Sequence, residues 1–236
     1  MRMEGNTILI TGGATGIGFA MAKYFLKRGN TVIICGRRDD RLAQAAGELP
    51  GLHTVKCDVA VSGDREELLL HMKKKFPEVN ILINNAGVQR DIDLKKEIPE
   101  AENDEVRINL EAPISLSSIF VPLLSGKDNA AIVNVSSGLA FMVERAAGMP
   151  IYCATKAGLH AFSMAQRIQL APLGIRVIEM IPPMVESELN IESRRKRNKV
   201  KSPYMLTSDD YVEKALAKME QNVDEIRLES QQWGSK

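Results

Sequence analysis

Short, largely apolar runs recur along the chain at TILI (7–10), TVIIC (31–35), HTVKC (53–57), VNILIN (79–84), AAIVNVS (130–136) and IRVIEMI (175–181). Most are apolar and β-branched without strict alternation, as expected of strands covered on both faces. Longer stretches with helical spacing separate them. Ile17, Met21, Tyr24 and Phe25 fall at i, i+4, i+7 and i+8, and Gly29 stands where a left-handed cap would end that helix. Segments 62–76, 101–124, 150–172 and 207–221 show similar spacing. Thr207 or Ser208, ahead of two aspartates, predicts the start of the last helix. Regular strand–helix alternation predicts an α/β fold built on a doubly wound parallel sheet with helices on both faces. No linker or low-complexity stretch divides the 236 residues, so a single domain over 1–236 is expected.

Composition narrows the function classes. The apolar fraction is 44%, the charged fraction 26% and the formal net charge +1, so no global field recruits nucleic acid or a membrane surface. Cys35, Cys57 and Cys153 show no CxxC spacing, which points to free thiols in a reducing compartment and to no metal site. The N-terminal stretch MRMEGNTILITGG lacks the apolar core of a signal peptide, and no apolar run is long enough to span a bilayer. A cytoplasmic location is therefore expected. The exception to the even charge is SRRKRNKVK (193–201), with six basic residues. Taken alone it suggests nucleic-acid or anionic-membrane binding. Its position between the sixth strand and the last helix suits a solvated substrate lid at about 183–206.

Candidate chemistry begins where the first strand runs into TGGATGIG (11–18). Gly12, Gly16 and Gly18, with Ala14, Thr15 and Ile17 between them, form a G-x-x-x-G-x-G turn that opens a helix. Glycines there permit a tight turn and close backbone approach, setting a pyrophosphate on the positive end of the helix. The end of the second strand selects the nucleotide. A carboxylate would hold the ribose hydroxyls of NAD, whereas VIICGRRDD (32–40) has Gly36 followed by Arg37 and Arg38. A guanidinium pair suits the 2′-phosphate, so NADP is expected over NAD.

In IYCATK (151–156), Tyr152 and Lys156 stand one helical turn apart among small residues. TGGATGIG, CDV (57–59), NNAG (84–87), INL (108–110), VNVSS (133–137) and YCATK (152–156) occur in the order and approximate spacing of the short-chain dehydrogenase/reductases. The chain resembles that Rossmann-fold family from residue 6 to about 220, and within it is similar to the DltE-type oxidoreductases. The resemblance implies that Tyr152 is the general acid/base, and that Lys156 lowers the phenol pKa and holds the nicotinamide ribose. It further implies that Ser137 orients the substrate carbonyl and that Asn109 holds a water linking Lys156 to solvent. For the cofactor it implies Asp58 and Val59 at the adenine and Asn85, Ala86 and Gly87 beside the adenosine ribose. Val185 and Ser187 would lie near the nicotinamide amide. Asn109 and NNAG also have structural readings, as a helix-kink cap and a strand-end turn.

Three departures stand out. The stretch from Ser137 to Tyr152 is longer than is usual in the family, with the extra residues in the expected loop AFMVERAAGMP. Pro182-Pro183 replaces a family Pro-Gly. A short strand at DEIRLES is followed by little of the family's glycine-rich tail. The expected activity is hydride transfer between NADP(H) and a carbonyl or secondary alcohol. The alternative is a non-catalytic dinucleotide-binding regulatory or scaffold protein of the same fold. A small-molecule substrate is expected, with no nucleic acid or membrane partner. Pairing through the helices at 101–124 and 150–172 would give a homodimer, with a homotetramer as the alternative. His53, His71 and His160 show no ligand spacing and read as structural.

Overall fold

The computed structural model describes residues 1–98, 104–186, 189 and 205–228. Its strands are β1 (Thr7–Thr11), β2 (Thr31–Gly36), β3 (His53–Lys56), β4 (Ile81–Asn84), β5 (Ala131–Val135), β6 (Arg176–Ile181) and β7 (Glu225–Arg227). They form one parallel sheet in the order β3-β2-β1-β4-β5-β6-β7. The helices are α1 (Gly16–Leu26), α2 (Asp39–Glu48), α3 (Ser62–Lys75), α4 (Ala112–Leu124), α5 (Pro150–Leu170) and α6 (Ser208–Glu220). Strand order reverses between β1 and β4, which opens the crevice where doubly wound sheets take their ligands.

The apolar strands fill two cores because successive side chains point to opposite faces. Ile8, Ile10, Val32, Ile34, Ile81 and Ile83 meet α1 and α6 through Met21, Phe25, Leu216 and Met219. Leu9, Ile33, Leu82 and Ile132 meet α3 and α4 through Leu68, Met72, Leu116 and Phe120. Arg65 of α3 is buried, donating from Nη1 to the Val59 carbonyl at 2.6 Å and from Nη2 to Glu111 at 3.1 Å.

Helical spacing does not mark α2, because DDRLAQAAGE buries only Leu42 and Ala45. The predicted helix at 101–124 enters through a π turn, Arg107–Glu111, before α4 proper. The expected loop before Tyr152 contains one short helical turn, Val143–Ala146, and another, Gly138–Ala140, leads into it. Among the described residues no helix is long and apolar enough to cross a membrane.

Tyr211 is fully buried in α6 and its hydroxyl has no hydrogen-bond partner among the described residues. An orphaned hydroxyl costs more than it contributes. Tyr211→Phe is therefore expected to stabilise the protein by about 1 kcal/mol, read as a higher denaturant midpoint with an unchanged slope.

Candidate active site

The glycine loop is held from below by the end of β4. The Thr11 hydroxyl accepts the N–H groups of Asn85 and Ala86, each at 3.0 Å. Asn85 Nδ2 donates to the Thr11 and Gly12 carbonyls at 3.0 and 3.1 Å. Gly12 takes φ +63°, and a Cβ there would lie 2.8 Å from the Ala86 Cα. Gly16 opens α1 at φ +56°. The first amide groups of a helix lack intrahelical acceptors, so this turn offers Gly16, Ile17 and Gly18 N–H groups toward the crevice. Ala14 and Thr15 are half-buried beside them, and Thr15 precedes α1 in extended conformation. The Asn85 amide is spent on the loop, so this residue shapes the turn. Thr11→Val is expected to destabilise the fold by about 2 kcal/mol, since two amide donors lose their acceptor; thermal unfolding measures it.

At the adenosine end, β2 closes on Gly36, with Arg37 and Arg38 exposed after it. The Arg37 guanidinium lies 3.7 Å from Asp104, which also pairs with Arg90 at 2.6 Å. Asp58 follows β3; its N–H donates to Asp64 at 2.8 Å and its carboxylate accepts the Ala60 N–H at 3.0 Å. Val59 is buried against the α3–α4 core.

The catalytic candidates gather beyond the C-terminal end of β5. Ser137 is buried in extended conformation, and its hydroxyl accepts the Leu139 N–H at 3.2 Å. Tyr152 and Lys156 are buried on α5. Burial pushes the Tyr152 phenol up to about 12, partly offset by a hydrogen bond with Ser137. The sequence reading expected the ammonium to lower that phenol. In the structure the Lys156 Nζ donates to the Val135 carbonyl at 2.9 Å and stands 5.8 Å from the Tyr152 ring centroid. Burial is the largest influence on the phenol. Burial also draws Lys156 down to about 8, against the carboxylate of Glu179.

Asn109 sits on the π turn with no exposed surface. It accepts the Val88 N–H at 2.9 Å and donates to the Val88 carbonyl at 2.8 Å and the Thr155 hydroxyl at 3.3 Å. Its amide thus pins the chain after NNAG to α5. A Cβ at Gly87 would lie 3.4 Å from Asn109 Oδ1 and 3.7 Å from Lys156 Nζ, so this glycine keeps the approach to the lysine open.

Other expectations fall differently. Val185 packs into the α1–α6 core and bridges to Leu206. Ser187, the basic segment 193–201 and most of the proposed lid lie outside the described residues. The Pro182 carbonyl accepts the Gly138 N–H at 2.9 Å, tying the end of β6 to the Ser137 turn. His53 and His71 pack on Phe76. His160 differs from its sequence reading, because it has a carboxylate partner across space: its Nδ1 lies 2.8 Å from the fully buried Glu179. His160, Glu179 and Glu225 bring ligand-type atoms within 4.8 Å of one another, but hydrogen bonds from Ser136 and His160 already engage both Glu179 oxygens. Glu105, with no exposed surface, also escaped the sequence reading; burial raises its carboxyl pKa despite a bond from the Arg90 N–H.

Comparison with known proteins places this geometry. The profile of the family described as short chain dehydrogenase matches residues 6–198. The uncharacterized oxidoreductase DltE of Bacillus subtilis is 46% identical over 231 residues, covering 97% of this chain and 90% of that protein. A short-chain dehydrogenase from Sphingobium yanoikuyae, solved in complex with NADPH, superposes with a TM-score of 0.83 at 27% identity, over 94% of this chain and 87% of that one. The 3-ketoacyl-(acyl-carrier-protein) reductase of Brucella melitensis, complexed with NADH, gives 0.80 at 28% identity, over 91% and 90%.

Proposed function

The chain belongs to the short chain dehydrogenase family, and on that premise we propose that it is an oxidoreductase preferring NADP(H). Its substrates would be carbonyls or the corresponding secondary alcohols, with Tyr152 as general acid/base. The observation that carries the reading is the meeting of the Tyr152 phenol, Ser137 hydroxyl and Lys156 ammonium group in one buried setting beyond β5. The bound nicotinamide would supply or take up the hydride; the rest of the work falls to side chains.

Tyr152 keeps its proton at neutral pH because burial raises its pKa. That state suits a donor to a carbonyl oxygen, and the proton leaves as negative charge develops there. Ser137, already bonded to the phenol, would hold the same oxygen. Lys156 remains largely an ammonium ion below about 8 and favours the phenolate left behind. Asn109 fixes α5 through Thr155, which keeps Tyr152 and Lys156 aimed together.

The residues fit a dinucleotide. Close packing at Gly12 and Gly18 leaves backbone where a side chain would stand, and the first turn of α1 presents amide groups. Ala14, Thr15, Asp58, Val59, Ala86 and Gly87 would line its adenosine half. Arg37 and Arg38 would take the 2′-phosphate, Arg37 leaving Asp104 to Arg90. Relatives of this fold bind NADPH or NADH, so the arginines and the absence of an acid at Gly36 favour NADP. Parallel fluorescence titrations test this. NADPH is expected to bind about tenfold tighter than NADH, with the difference lost in Arg37→Gln; equal binding in the unaltered protein would end the NADP assignment. Exposed Ile114, Met164 and Ile168 on α4 and α5 support a homodimer through those helices.

A further inference from the structure

Behind Lys156 lies a buried carboxylate with no part in the proton transfer just described. One row of the sheet, in register across four strands, reads Asn84, Asn134, Glu179 and Glu225. The first three are buried. Asn84 Nδ2 donates to Ser117 Oγ of α4 at 3.1 Å and to Asn134 Oδ1 at 2.9 Å. Asn134 Nδ2 reaches Ser163 and Gln166 of α5, each at 2.9 Å. These partners are neutral. Glu179 has no exposed surface, and a carboxylate charge there is costly unless hydrogen bonds and an opposite charge compensate it.

The hydrogen bonds are in place. Ser136 Oγ donates to Glu179 Oε1, and His160 Nδ1 lies 2.8 Å from Oε2. The opposite charge is close by. Lys156 Nζ bonds the carbonyl of Val135, and Ser136, the next residue, bonds Glu179, so ammonium and carboxylate are held at adjacent residues where β5 ends, without a direct ion pair. On α5, Tyr152, Lys156 and His160 fall at i, i+4 and i+8, which sets phenol, ammonium and imidazole along one face. The charge on Glu179 acts on Lys156 in the direction that keeps it protonated.

We propose that Glu179 is the buried counter-charge that holds Lys156 in its ammonium form beside Tyr152, with Ser136 and His160 fixing the carboxylate in place. Glu179 is then a positioning residue acting through Lys156. Its effect on turnover rests on the oxidoreductase reading; its effect on the lysine does not. Lys156 faces Tyr152 on its own helix and Val135 from β5, and Glu179 of β6 acts on it through space. The Glu179 carboxylate contacts Ser136 and His160, with Glu225 of β7 nearby. His160 is partly exposed and has Phe141 edge-on at 4.7 Å; Arg227 lies 4.2 Å from the other partner's ring, that of Phe141.

The test is the titration of Lys156 in protein labelled with 13C at the lysine ε-carbon, its resonance assigned by its loss in Lys156→Arg. In Glu179→Gln the midpoint is expected to fall by about one pH unit. The alkaline limb of kcat/KM should move down with it while KM for the carbonyl holds, and Glu179→Asp should restore both. His160→Leu should give a smaller fall that His160→Asn, which keeps a donor, reverses. An unchanged midpoint in folded Glu179→Gln overturns the proposal. If that variant fails to fold, His160→Leu and Ser136→Ala decide: a lowered midpoint supports the counter-charge and an unmoved one overturns it. A lowered midpoint in a protein with no turnover on any carbonyl would instead sink the oxidoreductase reading and leave the counter-charge standing.

Discussion

Tyr152→Phe is expected to lower kcat by about a thousandfold while leaving NADPH affinity unchanged. The phenol is the group placed to hand a proton to the substrate oxygen, and phenylalanine keeps its volume without the proton. Because burial holds Tyr152 neutral, the substitution alters no charge at neutral pH. Any change in cofactor binding would therefore report a structural effect. In the unaltered protein the rate should decline as pH rises through about 8, where Lys156 loses its proton. The sign follows from the role: the ammonium form stabilises the phenolate, and that form is the one lost on the alkaline side. Steady-state rates and a fluorescence titration on the same preparation check both parts.

Gly18→Ala is expected to weaken NADPH binding by about a hundredfold and to destabilise the fold by about 2 kcal/mol. A Cβ at this position would lie 2.4 Å from the Gly12 carbonyl, 2.5 Å from Asn85 Nδ2 and 2.9 Å from the Gly13 Cα. Two of those neighbours are backbone, so the loop itself must move. The Asn85 bonds to the Thr11 and Gly12 carbonyls would open with it. The first turn of α1 would then lose the alignment on which an anion site depends. A dinucleotide titration with a parallel melting curve separates the two effects. By contrast, Gly47 has open space around its Cβ position, so Gly47→Ala serves as the control.

Much of this architecture is legible in the sequence because its signals are local. Apolar runs set β1 to β6 within a residue or two, and the Tyr152–Lys156 pair needs only the pitch of a helix to meet. The short strand in DEIRLES is the observed β7. What the sequence hides is what depends on register. Glu179 and His160 are nineteen positions apart, and nothing between them announces that β6 lays the carboxylate against α5. The only hint is Glu179 amid the apolar residues that end IRVIEMI, a charge that a strand buried on both faces has no cheap way to hold. Asn109 shows the same limit. Its motif suggested a kink or a bound water, while its bonds to Val88 and Thr155 come from the π turn, which no spacing rule marks. For the protein alone, the phenol pKa is set chiefly by depth of burial, which is a property of the packed molecule and not of the Tyr-Lys spacing.

The most direct measurement is transfer of deuterium from NADPH labelled at the nicotinamide C4 to a panel of ketones and aldehydes, with products read by mass spectrometry. Label on the new alcohol carbon, lost in Tyr152→Phe, is the predicted result. Folded protein that binds NADPH yet transfers no label to any carbonyl, and takes none from the matching deuterated alcohols with NADP, would contradict the account and leave a dinucleotide-binding protein without turnover.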